Sequence, residues 1–228
     1  MNFGKNVGKR VLLYLFGLFI VAIGIRLSLV AGLGTGASTA WARAMSLTVG
    51  QSIAFWVFWT NAVCVIVQIA ILRKDFKPIQ LLQLAVSFIF SLFIATVDPL
   101  VKWWVPANYF VRVIQIILST MFNAFGIFCV VKAKLITMPI ESMNLVIMEK
   151  LKKGKLGTYK ILFDSFWFLF AIIISLVVTL KSGSFNFSSF LGLTGIREGT
   201  VFQLFAVGVF INIYMKLFGK YFDKLTQE

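Results

Sequence analysis

Asp164 stands in the string LGTYKILFD, at the head of an apolar run that continues from Ile161 to Leu180. An ionisable group inside a membrane span costs roughly 2.5–3.5 kcal/mol at the bilayer centre and usually faces a cavity or a partner. Asp164 is therefore the first candidate for ion or proton coupling, for gating and for solute binding. A plainer reading is also open: a carboxylate near the interface that reaches cytoplasmic water or pairs with Lys160 one turn away. Asn61, in an earlier apolar run, could coordinate a solute or simply tie two helices together by its amide.

Two polar breaks carry the other candidates. The segment from Gly32 to Gly50, GLGTGASTAWARAMSLTVG, offers Gly34, Thr35, Gly36, Ser38, Thr39 and Arg43. The segment from Ile136 to Leu151, ITMPIESMNLVIMEKL, offers Thr137, Pro139, Glu141 and Asn144. Each reads as a turn followed by a short helix, with Gly or Pro at the start. Such a helix begins with unpaired N–H groups and a partial positive charge, which suit an anionic group. Non-helical backbone is tolerated at membrane depth where protein or a wet cavity covers it, so the two short helices are expected to dip inward and line a site. Amphipathic helices lying on the membrane surface are the competing reading.

Among the charged residues, Arg26 could attract an anion or snorkel to headgroups. Arg43 has Glu141 and Glu149 as possible partners across the two segments. Arg197 and Glu198, in GIREGT, fit either a gate or an ordinary helix cap. Ser119 and Asn123 are polar positions that could simply pack.

Other chemistries are disfavoured. The chain has no His, which removes histidine catalysis and histidine proton relay. Cys64 and Cys129 are isolated in apolar runs, which fits neither a disulfide framework nor a zinc site. KGKLGT, from Lys153, superficially resembles a phosphate loop but lacks the GxxxxGK[ST] spacing and follows no strand. No catalytic residue, metal or cofactor is expected, and the chain is not expected to be an enzyme.

The elements that must hold these residues follow from composition. The chain is 60% hydrophobic and 13% charged, with mean hydropathy +0.94, more apolar than one soluble core can hide. A membrane crossing needs about 20 apolar residues. Six stretches qualify: Val11 to Val30, Ile53 to Leu72, Leu81 to Val97, Val111 to Val131, Ile161 to Leu180 and Val201 to Phe218. The expected architecture is all-α, a polytopic helix bundle forming one membrane domain over residues 1–228, with no cleavable leader.

The net charge of +14 is not read as a nucleic-acid signal. Its distribution follows the rule that cytoplasmic loops collect Lys and Arg. Lys5, Lys9 and Arg10, then Arg73, Lys74 and Lys77, then Lys150, Lys152, Lys153, Lys155 and Lys160, then Lys216, Lys220 and Lys224 fall on one side. Lys132 and Lys134 join them, while Arg43, Lys102, Lys181 and Arg197 fall on the other. Both termini are thus expected in the cytoplasm, with anionic lipid headgroups as partners of the basic face.

The chain also repeats itself. Gly24 to Asn61 returns in degraded form as Gly126 to Asp164, pairing Gly24 with Gly126, Ala31 with Ala133, Leu33 with Leu135, Ala37 with Pro139 and Asn61 with Asp164. Two units follow, residues 11–100 and 111–219, each of three spans with a short broken helix after the first. An odd number of spans inverts the second unit relative to the first, the arrangement of alternating-access carriers.

At AGLGTGAS, RKDFKPIQLLQLAVSF, AKLITMPIES, LGTYKILFD and GIREGT the chain resembles the YczE/YyaS/YitT family of bacterial membrane proteins, over nearly its whole length. Ala37 stands where that pattern has Pro, whereas Pro139 is kept. The chain stops soon after its sixth span, like the shorter YczE-like members. The resemblance implies a bacterial inner-membrane protein with a transport or permease role and no defined substrate. The leading expectation is a permease or exporter of a small polar or anionic solute. A substrate-binding subunit of a larger transport complex and a non-transporting accessory protein are the alternatives.

Overall fold

The computed structural model describes residues 7–151, 155–181 and 196–227. Lys5, Lys152 and Lys153, and the side chain of Lys181, lie outside the described residues.

Eight α-helices make up the described chain, with no strand among the described residues. They are α1 (Val7–Ala31), α2 (Ala37–Val49), α3 (Ile53–Leu72), α4 (Leu82–Val101), α5 (Tyr109–Lys132), α6 (Pro139–Leu151), α7 (Leu156–Lys181) and α8 (Glu198–Gln227). Two 3₁₀ turns, Arg73–Asp75 and Pro78–Leu81, join α3 to α4. All but α2 and α6 are long and apolar enough to span a bilayer, so the chain has the make-up of a multi-pass membrane protein. The span expected to end at Val97 continues through Pro99 to Val101. The span expected to begin at Ile161 begins at Leu156, which draws Lys160 into the helix.

α1 and α5 form the centre. Their most apolar windows are 44% and 56% buried, against 28% for each of the other four spans. They cross closely because two glycines open the way. A Cβ on Gly126 would meet the Gly17 carbonyl at 2.6 Å and Val21 Cγ2 at 2.5 Å, and a Cβ on Gly24 would meet the Ser119 carbonyl at 2.9 Å. Small residues allow such backbone approach, where dispersion rather than water exclusion holds membrane helices together.

The remaining helices pack in matching pairs. α1 packs on α4 as α5 packs on α8, and α3 on α4 as α7 on α8. The short helices reach across: α2 lies against both α3 and α7, and α6 against both α7 and α3. Trp41 of α2 is the wedge on one side. Its ring centroid lies 5.1 Å from that of Phe170 on α7 and 6.1 Å from that of Trp56 on α3.

The two breaks are built alike. Gly32 has φ +66° and Lys134 has φ +51°, each just past the end of a central span. At the first, the Arg112 guanidinium lies beside Gly32. At the second, Arg10 Nε donates to the Ala133 carbonyl at 2.8 Å and Arg10 Nη2 to the Lys134 carbonyl. A cation at a helix C-terminus answers the carbonyls left without intrahelical partners.

Candidate functional site

The first residues of α2 and of α6 border the same cavity. It is about 60 Å³ in volume, and all eight helices contribute to its wall. By the same measure a water molecule needs roughly 10–15 Å³, so the space suits a few waters or a very small solute. From the α2 start come Gly36, which caps the helix, Ser38 and Thr39, and from the α6 start Met138, just before the helix, Ile140 and Glu141. Thr60 and Asn61 of α3, Asn123 of α5, Lys160 and Asp164 of α7 and Gln203 of α8 complete the polar lining.

Three charges are buried there. Lys160 Nζ donates to Asp164 Oδ1 at 2.7 Å, an i,i+4 pair on α7 with both residues almost completely covered. Glu141, 6% exposed, lies within electrostatic reach of both. Taking charges out of water is unfavourable unless they are paired and hydrogen-bonded. Glu141 is helped by its place in the first turn of α6, where the helix end is partially positive.

The neutral side chains are less satisfied. Those of Ser38, Thr39, Asn61 and Asn123 make no hydrogen bond to another described residue, and Gln203 Nε2 is buried without a partner. Buried polar groups are nearly always hydrogen-bonded to protein or water. Ser38, Thr39, Asn61 and Asn123 line a space that a polar occupant can fill. Thr60 differs, since its Oγ1 accepts from Trp41 Nε1 at 2.7 Å and donates to the Trp56 carbonyl at 2.8 Å.

Separate hydrogen-bond clusters hold the two breaks. At the α6 break, Gln68 Nε2 donates to the Pro139 carbonyl at 2.9 Å, Ser142 Oγ donates to Gln68 Oε1 at 3.0 Å, and Gln83 Nε2 donates to Ser142 Oγ at 3.2 Å. At the α2 break, Gly199 N donates to the Leu33 carbonyl at 2.8 Å, Thr35 N to Thr200 Oγ1 at 3.1 Å and Arg197 Nη1 to the Gly32 carbonyl at 2.9 Å.

Of the expected residues, Gly36, Ser38, Thr39, Asn61, Glu141 and Asp164 meet at the cavity. Gly34, Thr35 and Pro139 lie in or beside the clamped breaks, with Thr137 half-buried next to Pro139. Asn144 is buried with both side-chain polar atoms unpartnered and does not line the cavity. Arg43 is half-buried and pairs with neither Glu141 nor the exposed Glu149. Arg26 is ion-paired with Asp98 of α4, and Glu198 is paired with Arg197 at 3.3 Å. Ser119 donates to the Gly24 carbonyl at 2.8 Å across the central crossing, which is a packing role.

Sequence reasoning missed Gln83, Gln203 and the burial of Lys160. A signal for the glutamines was present: LQL at 82–84 and FQL at 202–204 open the last span of each half. Its charge sets Lys160 among the cytoplasmic lysines, but α7 starts at Leu156 and Lys160 is buried inside the protein. Among the described residues no group of three His, Cys, Asp or Glu side chains gathers as a metal site.

Comparison with curated proteins and with solved structures returns no match. Residues 8–216 match the family described as "Family of unknown function (DUF6198)", and the chain belongs to that family.

Proposed function

We propose that the protein is a secondary carrier for a small polar solute, working by alternating access between two inverted repeats, with no ATP hydrolysis or other enzymatic step of its own. The observation that carries this reading is the convergence of the α2 and α6 starts on one cavity holding Glu141, Lys160 and Asp164. Discontinuous helices whose ends meet at the middle of a bundle are how carriers build a site in lipid.

The inverted repeat is supported by reciprocal contacts. With Gly17 matched to Ser119 and Gly24 to Gly126, the Gly17–Gly126 approach and the Gly24–Ser119 approach are images of one another. Arg10 at the end of α5 and Arg112 at the end of α1 are another such pair. A two-fold relation produces this reciprocity. The unlike clusters at the two breaks would then serve as inner and outer gates, with Asp164 and Lys160 as the coupling pair. On this reading the protein sits in a bacterial inner membrane with both termini in the cytoplasm and anionic headgroups against its basic end. The role agrees with what the YczE/YyaS/YitT resemblance implies, which rests on the quoted strings alone.

The test is reconstitution of the purified chain alone in liposomes. Counterflow of a small solute that is abolished in Asp164→Asn is expected. Silence across a broad panel of small polar solutes, from protein that remains monodisperse, overturns the reading.

A further inference from the structure

The two helix starts at the cavity are not equivalent. α6 begins at Pro139, which has no N–H, and carries its own carboxylate, Glu141, in the first turn. α2 begins at Ala37, has no acidic residue in its first turn, and its N-cap Gly36 supplies no side-chain cap. The N–H groups of Ala37 and Ser38 have no i−4 carbonyl to bond, and the end of this 13-residue helix carries a partial positive charge that nothing on α2 offsets.

A second, independent feature sits beside it. Gln203 is 1% exposed and lines the cavity, and its Nε2 has no hydrogen-bond partner. Its amide neighbours Gly36, since a Cβ built there would lie 3.5 Å from Gln203 Oε1. The Gln203 oxygen is the end that faces Gly36 here, and its Nε2 is buried and unpaired. Turned over about its last bond, the same amide gives a donor beside the two backbone N–H groups, a set suited to a carboxylate.

Elsewhere on the wall the demand is reversed. Asp164 is taken up by Lys160, whereas the Glu141 carboxylate accepts no side-chain hydrogen bond from a described residue. With all three ionised, Glu141, Asp164 and Lys160 sum to one negative charge. A purely anionic solute is repelled by that side, and a purely cationic one by the α2 start.

We infer that the solute is a small zwitterion, an amino acid of about the size of glycine or alanine, whose carboxylate accepts from the α2 start and Gln203 and whose ammonium donates to Glu141. At roughly 10–15 Å³ per water, the cavity of about 60 Å³ takes about four to six water-sized groups, which matches the heavy atoms of glycine or alanine. This rests on the carrier reading of the same cavity and narrows its solute class from polar to zwitterionic.

Equilibrium dialysis of the detergent-purified full chain tests it, with glycine and alanine as probes and acetate, propionate, methylamine and ethylamine as single-ended analogues. Saturable binding of glycine or alanine is expected, with each analogue weaker by about tenfold or more, the scale of one lost hydrogen bond to a charged group. Gln203→Leu should weaken amino-acid binding by about tenfold, and Gly36→Ala should weaken it by crowding the carboxylate, since its methyl stands 3.5 Å from Gln203 Oε1 at the α2 start. The Gly36→Ala methyl meets only an ordinary contact, so that variant keeps the fold intact for the measurement. An analogue that binds as tightly as glycine overturns the inference. So does unchanged binding in both variants, or no saturable binding by monodisperse protein. Amino-acid binding without counterflow would remove the carrier reading and leave this one standing, while counterflow of another solute by a chain that binds no amino acid would do the reverse.

Discussion

Lys160 and Asp164 meet at 2.7 Å along one face of α7, and both are buried where α2 and α6 pack on that helix. Removing one partner of a buried pair leaves an uncompensated charge, at a cost of about 3–5 kcal/mol, whereas replacing both by apolar groups of similar volume is often close to neutral. Lys160→Met and Asp164→Leu alone should each lower the melting temperature of the detergent-solubilised protein markedly. The double variant should recover most of that loss. A double variant no more stable than the worse single one would count against the pair as a closed unit.

The central crossing sets a second expectation. Gly126→Ala places a methyl within 2.6 Å of the Gly17 carbonyl, so α1 and α5 must separate, at about 1–3 kcal/mol for an overpacked core. Gly8→Ala meets nothing within 4 Å and should be neutral or slightly stabilising, as Ala is the better helix former. Melting curves of the two variants beside the wild type decide it.

The clusters at the breaks should act at opposite ends. Gln68→Leu leaves Gln83 and Ser142 without their shared partner and frees the Pro139 carbonyl, a loss of about 1–3 kcal/mol. Thr200→Val removes the acceptor of Thr35 N. With Cys64 and Cys129 replaced and a single cysteine at Ser38, Gln68→Leu should raise labelling by a reagent confined to the terminal side. Thr200→Val should raise labelling from the other side. Equal effects from both sides would show that the clusters do not gate separately.

Topology supplies a fourth test. Trp103 is 74% exposed at the end of the bundle opposite the termini. In cells, an impermeant maleimide should label Trp103→Cys without permeabilisation and Lys150→Cys only after it. The opposite pattern reverses the assigned orientation.

The positions of the six spans were legible because their signal is local: runs of apolar residues closed by Gly, Pro or charge. The short helices were legible for the same reason, through Gly34, Gly36 and Pro139. Contacts between distant residues were harder to read. Arg43 and Glu141 suggest a pair by charge alone, yet Glu141 sits near Lys160 while Arg43 remains unpaired. Arg26 finds Asp98, whose place near the end of α4 only the packed bundle reveals. Lys160 resembles its basic neighbours in sequence, and only the extra turn at the start of α7 carries it inward.

The crossed seating of α2 and α6 has a consequence for how the protein is made. α2 rests on α7, which a ribosome delivers only after the whole first half has left the exit tunnel. Until then its polar start has no completed wall to face, and the first half is an unfinished object in the bilayer. The two halves therefore cannot be inserted, folded and then docked as separate parts. The wait is one-sided: α2 stays without its second partner until α7 is made, whereas α6 finds α3 of the first half already in place.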